Sequence, residues 1–127
     1  YRVVAEIIRR RVFADFSIAH LMRFRHGVAT GEVSLSPAML HHNGCPRHRH
    51  CKLNALLQVA DNMDLDLDRV LAVGVGSADV CMLQAAGLSV AFQPRCSAVS
   101  DAAQHVIDDD LHGLLELLHE ELLARSA

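Results

Sequence analysis

At 127 residues, with hydrophobic side chains at 51%, the chain is sized for a single domain, 1–127, and can bury a core. A formal net charge of -3 argues against nucleic-acid binding through overall charge, and no apolar run reaches the roughly 18 residues of a membrane span. Cys45, Cys51, Cys81 and Cys96 stand in a sequence that opens on "YRVVAEIIRRRVF" without a secretory leader, so they read as reduced thiols of a cytoplasmic protein, not a disulfide frame.

In chain order, Tyr1 to about Val12 reads as a helix, because Val3, Val4, Ile7, Ile8 and Val12 fall on one face. Arg9, Arg10 and Arg11 read as a solvated helix face. "FSIAHLMRF", Phe16 to Phe24, alternates like a strand. His26-Gly27 is a turn, "VATGEVSL" returns as a second extended segment, and Pro37 ends it. "HHNGCPRHRH", His41 to His50, has no period and reads as a loop. A helix starts at Lys52, with Leu53, Leu56, Leu57, Ala60 and Met63 on one face. "DLDLDR" reads as a polar turn with Asp66 as N-cap of one short helical turn. Val70–Val73 is an apolar run suited to a strand buried on both faces. Ser77 to Ala86 is a helix with Gly87 as its C-cap, and Leu88–Phe92 a second buried strand. Ser97 to Ala103 is a short helix, "HVI" a short strand, and Leu111 to Ala124 a helix with Leu114, Leu115, Leu118 and Leu122 on one stripe. Strands alternating with helices imply an α/β, three-layer architecture with a parallel sheet.

In such a sheet, ligands bind beyond the carboxyl ends of the strands. That places a candidate site at "GVGSAD", with "FQPR" beside it. Gly74 and Gly76 let the backbone approach a ligand, Ser77 follows them, and Asp79 stands in the first turn of the next helix. The same residues also read as a plain strand-to-helix turn with Asp79 as a helix-start residue. A nucleotide-binding turn is weaker, for want of the G-x-G-x-x-G register. A second constellation is His41, His42, Cys45, His48, His50 and Cys51, six borderline ligands in eleven residues. Zinc accepts Cys and His. The spacing Cys45-x2-His48-x-His50-Cys51 matches no common zinc pattern, so a plain polar loop is the expected reading, with a zinc site or a substrate-facing loop as alternatives.

"VLAVGVGSADVCMLQAAGLSVAF", Val70 to Phe92, resembles the fourth motif of the haloacid dehalogenase (HAD) superfamily in its phosphoserine-phosphatase-like branch. That motif runs Gly-Asp-Gly-x-Asn-Asp, then Met-Leu, Ala-Ala-Gly and a strand ending in Ala-Phe. Lys52 stands where the family keeps its third-motif lysine, "VATGEV" looks like its Thr-Gly hairpin, and "HVIDDDLHGLLELL" like its closing strand and helix. Tyr1 to Phe13 is similar to the helix after its second motif. The resemblance implies a Rossmann-like HAD core, here its C-terminal portion with the cap absent. Lys52 and Asp79 would be vestigial catalytic positions, paired at the sheet's carboxyl edge.

The departures from the family pattern are chemical. The family's Mg²⁺-binding aspartate is matched by Val75, and its asparagine by Ala78. No Asp-x-Asp-x-Thr/Val nucleophile motif follows a buried strand; "DLDLD", Asp64 to Asp68, comes in the wrong place. The resemblance therefore implies a hydrolase lineage and a non-catalytic, binding or regulatory pseudoenzyme, with no cofactor in this chain. The alternative is part of a Mg²⁺-dependent phosphomonoester hydrolase whose first two motifs lie outside the chain. Without the nucleophile strand the sheet would lack a neighbour on one side, so a homodimer or partner chain is expected at that edge.

Overall fold

His26 and Gly27 both take positive φ, 51° and 79°, and this reverses the chain between β1 (Leu21–Arg25) and β2 (Val28–Ser34). Two positive-φ residues give a turn whose twist suits a two-residue hairpin. A computed structural model describes every residue from Tyr1 to Ala127, and the chain divides into two compact units, Tyr1–Val59 and Ala60–Ala127.

In the first unit, α1 (Arg2–Arg11) precedes the hairpin. Its apolar face is exposed: Val3, Val4, Ile7 and Ile8 are each more than half accessible. Arg10 and Arg11 are exposed, as a solvated face requires, while Arg9 is half-buried. It donates to both Glu6 oxygens and to the Ala14 carbonyl. These bonds from Arg9, with those from Arg10 and Ser17, hold the Glu6 carboxyl down to about 2. The strand expected from Phe16 begins only at Leu21. His20 spends its carbonyl on the Arg2 N–H and its Nδ1 on the Ser36 N–H, so the backbone before Leu21 is tied elsewhere. β1 and β2 are antiparallel, with a bulge between Met22 and Phe24. On β2 the irregularity spans Thr30, Gly31 and Glu32 opposite Arg23, and Gly31 takes φ 83°. Ser36 caps a 3-10 turn, Pro37–Met39. α2 (Lys52–Met63) runs across the boundary of the two units.

In the second unit, β3 (Leu71–Gly74), β4 (Leu88–Phe92) and β5 (His105–Ile107) form a parallel sheet in the order β3-β4-β5. β4 lies in the centre, with Leu88 to Ala91 buried, which is why its sequence is a continuous apolar run. The edge of β3 away from β4 carries no strand of this sheet. α3 (Val80–Ala85) and α4 (Ser97–Ala102) pack on one face, where Ala72, Leu83, Ala86, Ala91 and Val99 make the core. Leu71 and Leu88 point to the other face. There they line a cleft with Leu118 and Leu122 of α5 (His112–Ser126), and Arg125 donates to the Asp68 carbonyl.

Two local expectations are corrected. The segment Ser77 to Ala86 is a 3-10 turn, Ser77–Asp79, followed by the shorter α3. Gly87 is not a left-handed C-cap: the cap position falls on Ala86, with φ -74°. Gly87 is needed for space instead. A Cβ there would run into the backbone of Asp68, and its N–H donates to the Leu67 carbonyl at 2.7 Å. Asp66 does stand at the N-cap of the 3-10 turn Leu67–Arg69, but its side chain makes no cap bond.

Candidate functional site

The turn at the carboxyl end of β3 is built around one buried carboxylate. Asp79 is 5% exposed. Its Oδ2 accepts the N–H of Val75 at 2.9 Å and of Gly76 at 3.0 Å, and its own N–H donates to the Gly76 carbonyl at 2.9 Å. The carboxylate thus clamps the turn that leads into the helix, where its charge also suits the helix start. Gly74 permits this geometry: a Cβ there would come within 2.6 Å of the Asp79 Cβ and 2.9 Å of Leu83 Cδ1. Gly76 has no such constraint, since a Cβ would meet nothing within 4 Å. Ser77 and Ala78 are exposed at the lip of the turn.

The loop after β4 is fastened to this turn. Arg95 donates its backbone N–H to the Val75 carbonyl at 2.9 Å. Gln93, with φ 39°, donates its N–H to the Ile107 carbonyl and its Nε2 to the Asp109 carbonyl. A positive φ on a non-glycine residue is uncommon and is held here by those two bonds. Sequence reasoning did not single out Gln93 or Arg95 individually. "FQPR" marked the place, but nothing in the letters shows which backbone group bonds to which.

The donor set at this turn does not fit Mg²⁺. That ion demands oxygen ligands in near-octahedral order. Val75 has a hydrocarbon side chain, its N–H is given to Asp79 and its carbonyl accepts from Arg95. Asp79 Oδ2 is held by two amides.

In the first unit, Lys52 is the exposed first residue of α2. The loop before it is ordered by a residue the sequence reading passed over. Asn54 is 2% exposed. Its Oδ1 accepts the Cys45 N–H at 2.6 Å, and its Nδ2 donates to the carbonyls of Met39 at 2.9 Å and Arg49 at 2.8 Å. Of the proposed ligands, Cys45, His48 and Cys51 are brought together, with ligand atoms within 4.8 Å of one another; His50 is not among them.

A family model for haloacid dehalogenase-like hydrolases matches residues 47–118. The chain is similar to phosphoserine phosphatase SerB2 of Mycobacterium tuberculosis, at 30% identity over 100% of the chain and 30% of that protein. It is similar to the phosphoserine phosphatase of Lactococcus lactis at 25% identity, over 93% of the chain and 50% of the relative. The chain thus spans half the length or less of these curated relatives. Among solved structures, phosphoserine phosphatase in apo form aligns with a TM-score of 0.75 at 23% identity, over 90% of this chain and 52% of that one. A phospho-aspartyl intermediate analogue of phosphoserine phosphatase aligns at 0.76 and 22%, over 92% and 52%. The family match covers more than half of the chain and includes β3, its turn, α3 and β4: the chain belongs to the haloacid dehalogenase-like hydrolases.

Proposed function

We propose that the chain is a phosphatase-lineage domain that does not itself hydrolyse a phosphoester, and that it serves as a binding or regulatory module. One observation carries this reading: at the position matching the family's metal ligand, Val75 offers no side-chain oxygen, and its backbone groups bond to Asp79 and Arg95. Phosphoryl transfer to an aspartate needs both a nucleophile and a cation to offset phosphate charge. Gly74, Gly76 and Ser77 are the proposed ligand-facing residues, and Lys52 with Asp79 a vestige of the catalytic set. Mg²⁺ enters only if residues outside 1–127 complete a site. That second reading, part of a phosphomonoester hydrolase of the phosphoserine-phosphatase kind, is favoured by the retained Lys52 and Asp79.

The test is a calorimetric Mg²⁺ titration of the chain and of Val75→Asp. The expected result is no saturable binding by the chain and weak binding by the variant. Saturable Mg²⁺ binding by the unsubstituted chain, with shifts of the Val75 and Gly76 amide resonances, would overturn the reading.

Association is part of the same proposal, as a homodimer or with a partner chain at the free edge of β3. The strand-free edge supports it, as do the exposed apolar residues of α1. Sedimentation should give a concentration-dependent mass; a monomer across the whole accessible range would remove the homodimer. A cytoplasmic setting is supported by four thiols outside any disulfide. No helix is long and apolar enough to cross a membrane.

A further inference from the structure

We propose that the loop between the hairpin and α2 is a zinc site, with Cys45, His48 and Cys51 as ligands. The proposal does not rest on the reading of the turn after β3. The first support is geometric. Cys45 Sγ and His48 Nδ1 are 3.5 Å apart, and the three ligand atoms lie within 4.8 Å of one another. With zinc–sulfur bonds of about 2.3 Å and zinc–nitrogen bonds of about 2.0 Å, the sulfur–nitrogen edge of a tetrahedron is roughly 3.5 Å. The Cys45–His48 edge therefore has the length expected in a loaded site.

The second support is that the loop is held in this shape by the protein. Asn54 fixes the Cys45 N–H and the Arg49 carbonyl. The Cys51 N–H donates to the Met39 carbonyl, and the Gly44 N–H to the His41 carbonyl. Gly44 is required: a Cβ there would strike Asn54. This leaves little loop entropy to be lost on binding, the usual cost of assembling ligands from a flexible segment.

The third support is the donor set and its access. Two thiolates and an imidazole suit zinc and do not suit Mg²⁺ or Ca²⁺. Cys51 is buried, Cys45 partly so, and His48 exposed, so the site grades from interior to solvent. A pocket lined by His41, His42, Gly44, Cys45 and Arg49 opens beside it. Binding releases the two thiol protons. A tetrahedral ion takes a fourth ligand beyond these three. The structure selects Cys45-x2-His48-x2-Cys51 and leaves out His50, a regular spacing hidden in the sequence by the extra histidines.

The test uses the 127-residue chain, purified under a reductant that does not chelate. Zn²⁺ is titrated against a chromophoric chelator, and Co²⁺ serves as the spectroscopic probe. The expected result is one tightly held ion per chain and a thiolate-to-cobalt charge-transfer band. Cys45→Ser, Cys51→Ser and His48→Ala should each weaken affinity by at least about tenfold. His50→Ala and Cys96→Ser should leave it unchanged. His48 is exposed, so His48→Ala is the variant expected to keep the fold if a cysteine variant does not. Absence of stoichiometric binding, a cobalt complex without the charge-transfer band, or affinity unchanged in His48→Ala would each overturn the proposal.

Discussion

Asp79→Ala is expected to destabilise the chain by roughly 3–5 kcal/mol, since two hydrogen bonds to a charged acceptor are lost and two amides at the turn lose their partner. Both acceptances run through one oxygen, Oδ2, in a residue that is nearly buried. Asp79→Asn keeps a carbonyl oxygen and should recover about half of the loss. Urea denaturation reads the stability, and amide exchange at Val75 and Gly76 reads the turn. Exchange rates there that do not change in Asp79→Ala would contradict the clamp.

Gly87→Ala should cost about 3 kcal/mol, the upper end of the overpacking range. The atoms a Cβ would meet are the backbone of Asp68, which cannot rotate away as a side chain can. Relief requires moving the segment that enters β3. Gly76→Ala provides the contrast. Its φ is -121° and the space around it is open, so the change should be neutral or stabilising by up to about 1 kcal/mol, through the unfolded chain. Equal effects of the two substitutions in urea denaturation would contradict this assignment of their roles.

These two glycines mark the limit of what the letters revealed. The parallel sheet was legible because buried strands need continuous apolar runs, and Leu88–Phe92 matches β4 to the residue. Register, by contrast, depends on pairing partners. The end of α3 was read as a glycine cap, whereas Gly87 serves a close approach to a segment nineteen positions upstream of it in the chain. β1 starts at Leu21, five residues after the Phe16 that the alternation in "FSIAHL" suggests, because the letters do not reveal that His20 bonds to α1 and to Ser36. Asn54 looked like one polar residue within a helical period. Its burial, and its hold on Cys45, exist only once the loop folds back onto α2. At the candidate site, Asp79 and the absence of a carboxylate at Val75 were visible at once. The use of Asp79 as a clamp on the two preceding amides was not, because a carboxylate at a helix start serves a backbone or a ligand equally well.

The most direct measurement of the central claim is hydrolysis of phosphoserine and of a generic aryl phosphate by the purified chain, with and without added Mg²⁺. The account predicts no Mg²⁺-dependent turnover by the chain or by Val75→Asp, because restoring one ligand supplies no nucleophile. Turnover by the unsubstituted chain that appears on adding Mg²⁺ would contradict it, and would place a nucleophile within these 127 residues.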